Sequence, residues 1–240
     1  GKPPFKKPLT NLRLLFKPYV GATRFQISHI LMRKDFAEKY GIKTFADIAK
    51  KKPPMRIAYN RPGNADGDVH ITHLANIGVT PEDIKKWGGQ VVRAASREIT
   101  SLMLDRRIDV AAFGISYRHP RIREIAKGLD VVMLPISKEN AEKTAKEWNS
   151  TLCQIKASEY EFLATDSWAT CVGLGLYADA SMDEKTVYNI TKGIFTNVDT
   201  FKAAHRLLNK VVTAKSLAEP GNVPYHPGAL KYLKEAGLVK

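Results

Sequence analysis

Strand-like and helix-like segments alternate through most of this chain, and that alternation predicts an α/β fold. Two further observations agree. Ile108 to Phe113 reads as a buried strand, and the helical stretches between strands carry start and stop residues in the right places. Taken in order, Asn11 to Phe16 and Phe25 to Met32 read as strands, the second leading into a helical segment from Asp35 to Tyr40 that Gly41 stops. A short helix follows from Thr44. Met55 to Tyr59 reads as a strand that ends in the loop Asn60-Arg61-Pro62-Gly63-Asn64, and a helix then runs to Ile77 and closes at Gly78. Thr80-Pro81-Glu82-Asp83 caps the next helix: proline at the first helical position gives up only an N–H that has no partner there, and the acids suit the positive helix end. Val91 to Ala94 is the next strand, and Ser96 is expected to cap a helix ending near Arg107. At the far end, Val223-Pro224-Tyr225-His226-Pro227-Gly228 holds two prolines that fix φ around an aromatic and a histidine. Gly228 opens a short helix with Leu230, Tyr232, Leu233 and Leu238 on its apolar side, so this tail is expected to dock, with His226 in a structural role.

Composition bounds the function. Hydrophobic residues make up 44% and charged residues 26%, as in a globular protein of one large or two modest domains. The longest weakly polar run, Cys171 to Ala178, is far short of the ~18 residues a spanning helix needs, so no integral membrane segment is expected. The opening Gly1-Lys2-Pro3-Pro4 has no apolar core of a signal peptide. Two cysteines, Cys153 and Cys171, allow at most one internal disulfide; two separate buried thiols are equally compatible. The formal net charge is +14, and the excess is local: residues 1–60 hold 14 Lys/Arg against Asp35, Glu38 and Asp47. Lys6-Lys7 and Lys50-Lys51-Lys52 sit beside prolines and lack interleaved aromatics, which makes them exposed loop charges on a solvated face. Nucleic acid is not expected as a partner.

Metal and catalytic patterns do not assemble. Asn64, Asp66 and Asp68 imitate the start of an EF-hand loop, but the glycine falls at the fourth position and position twelve is Ala75. His70 and His73 share a helix face without a third placed ligand. There is no Gly-x-Ser-x-Gly, Walker loop or dinucleotide fingerprint, and neither cysteine has a neighbouring histidine. No catalytic residue, metal or cofactor is therefore expected, and the chain is read as a non-enzyme.

The carboxy-terminal Pro224-Tyr225-His226-Pro227-Gly228-Ala229 segment resembles the signature of the TAXI family of TRAP transporter solute receptors. The middle of the chain is similar too, in Ile57-Ala58-Tyr59-Asn60-Arg61-Pro62-Gly63-Asn64, in Ser96-Arg97-Glu98 with Arg107 to Gly114, and in Ile155 to Tyr160 before a return strand at Trp168 to Leu176. Family members begin with a further βαβ unit bearing a Gly-Gly-aromatic-Tyr ligand loop, which nothing here matches. The resemblance implies a bilobed, periplasmic-binding-protein-like (type II) α/β architecture with one lobe incomplete at its N-terminal side, either as a fragment or by nature. It places residues 1–46 in lobe I, 47–165 in lobe II and 166–240 in a return to lobe I with the docking tail. It implies a periplasmic receptor that holds a small organic anion or amino acid, dicarboxylate or glutamate-like, between its lobes and passes it to the permease subunits of a TRAP transporter. An enzyme or ligand-sensing domain on the same scaffold is the alternative. An extracytoplasmic home would also permit a Cys153–Cys171 bridge.

Such a site would use loops at strand C-termini, where backbone N–H groups meet an anion. In the first, Asn60, Gly63 and Asn64 are candidates: Gly63 permits close backbone approach and Asn64 offers an amide, while Asp66 and Asp68 in the following turn oppose an anion and serve as caps. In the second, Ser96 caps its helix and Arg97 is either a guanidinium clamp or a surface charge. In the third, Gly114 and Tyr117 follow the buried strand, and Arg118-His119-Pro120 starts the next helix. Tyr160 and Trp168 are assigned to hinge or core packing.

Overall fold

A computed structural model describes residues 7–20 and 24–240. Lys6 of the basic pair and the Gly1-Lys2-Pro3-Pro4 opening lie outside the described residues. The chain divides into two compact units, a larger one over residues 26–172 and a smaller one over 1–25 with 173–240.

The first strand, β1 (Leu12–Tyr19), belongs to the smaller unit. The larger unit opens with β2 (Ile27–Arg33), which runs directly into α1 (Lys34–Tyr40). Gly41 ends that helix in the left-handed region at φ 62°, where its N–H reaches the Ala37 and Glu38 carbonyls. The next helix, α2 (Asp47–Lys51), starts later than Thr44 because the Asp47 carboxylate accepts from the N–H groups of Lys43 (3.0 Å) and Thr44 (2.8 Å) and holds that stretch in a turn. Lys50 and Lys51 are in its last turn and Lys52 closes it, so these are not loop charges; cations there complement the negative helix end. After β3 (Arg56–Tyr59), α3 (Ala65–Ala75) and α4 (Pro81–Lys86), the Thr80 and Asp83 side chains bond each other's backbone N–H in a full capping box. Then come β4 (Gln90–Arg93), α5 (Ser96–Leu104), β5 (Val110–Ile115), α6 (Pro120–Gly128), β6 (Val131–Met133), α7 (Lys138–Glu147), β7 (Thr151–Ile155) and β8 (Ser167–Cys171).

These strands form one seven-stranded sheet in the order β4-β3-β5-β2-β8-β7, with β6 also paired to β2. β4, β3 and β5 are parallel, whereas β2 runs antiparallel to β5. The side chains of β5 alternate between two cores: Ala111 and Phe113 pack with Ile99, Met103 and Ile122 on one face, and Val110 and Ala112 with Tyr59, Phe45 and Ile84 on the other. β2 divides likewise, Ile27 and Leu31 from Ile30 and Met32. Both strands are buried because helices cover both faces, as in a doubly wound sheet. Burying a residue such as Phe113 contributes about 2–3 kcal/mol. Cys153 and Cys171 are joined in a disulfide across β7 and β8, so the bridge forms and the free-thiol alternative is set aside.

In the smaller unit β1 pairs antiparallel with β9 (Leu174–Asp179), followed by α8 (Glu184–Thr196), α9 (Val198–Ala203), α10 (Arg206–Val211), α11 (Ala214–Leu217) and α12 (Pro227–Glu235). Leu15, Phe16, Val187, Leu217 and Leu233 form its core. The tail docks here. Leu14 donates to the Pro224 carbonyl and accepts from His226, both at 2.9 Å, which lays the Pro224–His226 segment along β1. His226 is buried, and its Nδ1 accepts from Gly228 N–H at 3.2 Å as the cap of α12. A Cβ at Gly228 would lie 2.2 Å from the Glu184 carbonyl oxygen, so α12 approaches α8 only without a side chain there.

Two boundaries differ from the sequence reading. The larger unit begins at Gln26 instead of residue 47, because β2 is hydrogen-bonded into the sheet between β5 and β8 and carries α1 with it. Trp168 to Leu176 is two strands: β8 ends at Cys171 in the larger sheet and β9 starts at Leu174 in the other, the break falling at Val172-Gly173 where the chain leaves the larger unit.

Candidate functional site

Because β3, β4 and β5 are parallel, the loops that follow Tyr59, Arg93 and Ile115 all leave the same edge of the larger unit's sheet. Their meeting point is Asp66, a buried residue in the first turn of α3. One carboxylate oxygen accepts from the Asn60 amide at 3.0 Å and the other from the backbone N–H of Gly114. The Asn60 amide also donates to the Ser96 hydroxyl at 3.3 Å, and its oxygen accepts from the Arg61 N–H at 2.8 Å. Asn60, Ser96 and Gly114, one from each loop, are thus brought together. Close packing sets the arrangement: a Cβ at Gly67 would lie 2.4 Å from the Asn60 carbonyl oxygen, and one at Gly114 would lie 3.0 Å from Asp66 Oδ1.

Gly63 adopts φ 80° and donates its N–H to Asp68 at 3.0 Å, so this amide is taken by the protein itself. Asp68 also accepts from Arg93 at 2.7 Å, and the Arg93 guanidinium lies 4.8 Å from the Tyr59 ring centre. Asn64 is exposed and its side-chain oxygen caps α3 through the Asp66 N–H at 3.0 Å, which orients the amide by a structural bond. Ser96 is not the cap of its helix. The N-cap is Ala95, which has no capping side chain, and Ser96 is the first helical residue, turned toward Asn60. Arg97 is exposed beside it. Tyr117 is half-buried, its ring 5.8 Å from that of Tyr160, and His119 caps α6 as the Arg118-His119-Pro120 turn predicts. Tyr160 belongs to the core of the larger unit and Trp168 packs against the other core, as assigned.

Asp66 was legible only as a cap, and its role as the joint of three loops escaped the sequence because it depends on a contact with Gly114 across the sheet. Two further arginines also frame the edge. Each loop carries one exposed arginine: Arg61, 4.0 Å from Glu98; Arg97; and Arg118, whose guanidinium sits 5.2 Å from the Tyr117 ring centre. Beneath the edge, α3 buries His70 and His73 in the protein. Burial pushes His73 down to about 3, helped by His70 and opposed by the Asn140 hydrogen bond, and burial pushes His70 down as well against the pull of Asp66. Among the described residues no three His, Cys, Asp or Glu side chains are grouped to hold a metal ion. Cavities of about 210, 350 and 450 Å³ flank α1 and β6, lined by residues such as Lys34, Leu129, Val132 and Phe162; none is lined by a residue of the three loops.

The larger unit's mixed α/β sheet is flanked by helices on both faces. The match to the NMT1-like family spans residues 1–237, and the chain belongs to that family. Among solved structures it is similar to the periplasmic aliphatic sulphonate binding protein SsuA from Escherichia coli, at 14% identity and a TM-score of 0.39 over 93% of this chain and 56% of that one. PhnD1 from Prochlorococcus marinus (MIT 9301), solved in complex with methylphosphonate, matches at 12% identity and a TM-score of 0.45 over 95% of this chain and 72% of that one. A glycine betaine/carnitine/choline ABC transporter matches at 16% identity and a TM-score of 0.30 over 98% and 67%. This chain therefore spans little more than half the length of the sulphonate-binding protein. No helix of the described residues is long and apolar enough to cross a membrane.

Proposed function

We propose that the chain is an extracytoplasmic solute-binding receptor that takes up a small organic anion or amino acid, dicarboxylate or glutamate-like, and delivers it to a TRAP-type membrane transporter, as the TAXI resemblance implies. The observation that carries the reading is the edge itself: three loops knit together through Asp66, each with one exposed arginine, Arg61, Arg97 or Arg118. Guanidinium groups on separate loops suit a carboxylate, which accepts paired N–H donors. Asn60, Gly63, Asn64, Ser96 and Gly114 shape the floor, and Tyr117 covers the less polar part of the solute. Asp66 and Asp68 do not oppose this, because their oxygens face Asn60, Gly63, Gly114 and Arg93. The permease subunits and the periplasmic location belong to the same reading.

The test is calorimetric titration with L-glutamate and succinate, and with an aliphatic sulphonate, methylphosphonate and glycine betaine as competing classes. Arg97→Ala and Tyr117→Ala are each expected to weaken carboxylate binding by roughly tenfold to a hundredfold, the loss of one charge-assisted or aromatic contact. Tight binding that neither variant changes by threefold places the site elsewhere, and turnover of any of these acids favours the enzyme alternative.

A further inference from the structure

We propose that Tyr160 is a positioning residue for the third loop: its hydroxyl, anchored from behind by His29, holds Arg118 in a left-handed backbone conformation and so sets where Tyr117 and the Arg118 guanidinium stand. The inference rests on the proposed function for what the loop does and on geometry alone for how the loop is held.

Arg118 has φ 52°. A residue with a Cβ pays on the order of 1 kcal/mol to stay there, so something must hold it. Its N–H donates to the Tyr160 hydroxyl oxygen at 2.8 Å. Behind the hydroxyl stands His29, which is buried on β2. Its Nδ1 lies 2.8 Å from the Ile27 carbonyl oxygen, which only accepts, so Nδ1 carries the proton. Nε2 of the same ring lies 3.1 Å from the Tyr160 hydroxyl oxygen, within hydrogen-bond distance. The phenol oxygen therefore bridges His29 on the strand and the backbone N–H of Arg118 in the loop, and His29 is itself tied to the strand through its Nδ1–H. Ring packing adds to it, with Tyr160 edge-on to His29 at 5.8 Å and to Tyr117 at 5.8 Å. Tyr160 itself lies in the segment closed by the Cys153–Cys171 bridge, which ties it to the sheet at both ends.

Tyr160→Phe removes one oxygen and leaves the ring, so the fold is expected to be retained, which a thermal melt checks. Backbone hydrogen exchange at Arg118 is expected to quicken at least tenfold in this variant while Phe113, inside β5, is unchanged, and affinity for L-glutamate or succinate is expected to fall at least tenfold. Arg118 exchange within twofold of the unmutated protein overturns the positioning role, whatever happens to binding. If Arg118 exchange quickens but the unmutated protein binds none of the acids, the positioning stands and the receptor reading fails. Should the variant not fold, the unmutated protein decides: an Arg118 amide exchanging less than tenfold slower than an unstructured one sinks the idea, and protection of a hundredfold or more supports it.

Discussion

Asp66, in the first turn of α3, accepts a hydrogen bond from the backbone N–H of Gly114 at the far end of β5, and through Asn60 the same carboxylate reaches Ser96 at the start of α5. One side chain thus joins three segments that the sequence separates widely. Asp66→Asn puts an NH₂ against the Asn60 NH₂ or against the Gly114 N–H, and leaving one buried donor unpaired should cost about 1–3 kcal/mol. Exchanging the two residues, Asn60→Asp with Asp66→Asn, restores a donor opposite an acceptor. Urea unfolding of both singles and the double should show the double recovering more than half of the larger loss.

Gly67 is expected to be intolerant for a different reason. A methyl group there would stand 2.4 Å from the Asn60 carbonyl oxygen and 2.7 Å from its carbon, both backbone atoms that cannot swing aside. Gly67→Ala should lower stability by ~3 kcal/mol or more and displace the first loop; Ala75→Gly, at the other end of α3, should cost no more than ~1 kcal/mol. Equal effects in the two variants would show that the close approach is unimportant.

At the opposite edge of the sheet Arg56 grips Asp109 through two parallel hydrogen bonds of 3.0 and 2.8 Å, and its backbone N–H adds a third at 2.8 Å. The Asp109 side chain is only 4% exposed. The bonded carboxylate holds the Arg56 guanidinium above its ordinary range. Asp109→Ala leaves Arg56 and Arg33 without their shared partner and should cost about 3–5 kcal/mol, whereas Arg33→Ala, 3.6 Å away on the same carboxylate, should cost distinctly less. Chemical denaturation of both variants checks the order.

Acid should weaken the fold from pH 6.5 downward. His73 is held down to about 3 in the folded protein and titrates near its ordinary 6.5 when unfolded. Over that window the unfolded chain binds a proton that the folded one refuses, so stability is full above pH 6.5 and declines by ~1.4 kcal/mol per pH unit, reaching roughly 3 kcal/mol at pH 4. His70, lowered by the same burial, adds to the slope. Replacing His73 by Asn keeps a donor toward Asn140, which accepts from His73 Nδ1 at 2.6 Å, and should reduce the proton uptake on unfolding by one between pH 6 and 4. An unchanged slope in unfolding measured across that range contradicts the assignment.

The disulfide should matter to stability more than to shape. It closes a segment of sequence separation 18 between two strands that already pair, so its main effect is on the unfolded chain, and its removal should cost about 3 kcal/mol. Comparing melts of the Cys153→Ser/Cys171→Ser protein with the oxidised parent tests this; a shift of less than 1 °C would falsify it.

What the sequence made legible was local. Gly41, Thr80-Pro81, His119-Pro120 and Gly78 act through their own backbone and nearest neighbours, so their positions in the fold follow from residue type. The three loops were likewise readable, because each follows a strand bounded by recognisable punctuation. Ser96 was misread as a cap since serine before a helical run is the usual cap, and only its neighbour Asn60, distant in sequence, shows why it faces inward. The joint at Asp66 and the Tyr160 anchor depend on contacts across the sheet that leave no periodic or compositional trace. The domain boundary failed for a related reason. A strand such as β2 reads the same whichever sheet recruits it, and its place between β5 and β8 is decided by pairing.

The division of the chain also dictates an order of assembly. The larger unit is one continuous stretch, so a ribosome that has made Val172 has supplied everything that unit needs to close. The smaller unit is interrupted by it. β1, with Leu14, Leu15, Phe16 and Tyr19 destined for burial, emerges early and has to wait for β9 and the helices that follow before it finds its partners. Through that interval it is an apolar segment with open hydrogen-bonding edges, the kind that associates wrongly between nascent chains. The stretch most in need of chaperoning is therefore β1, the part of the smaller unit that precedes the larger one in sequence.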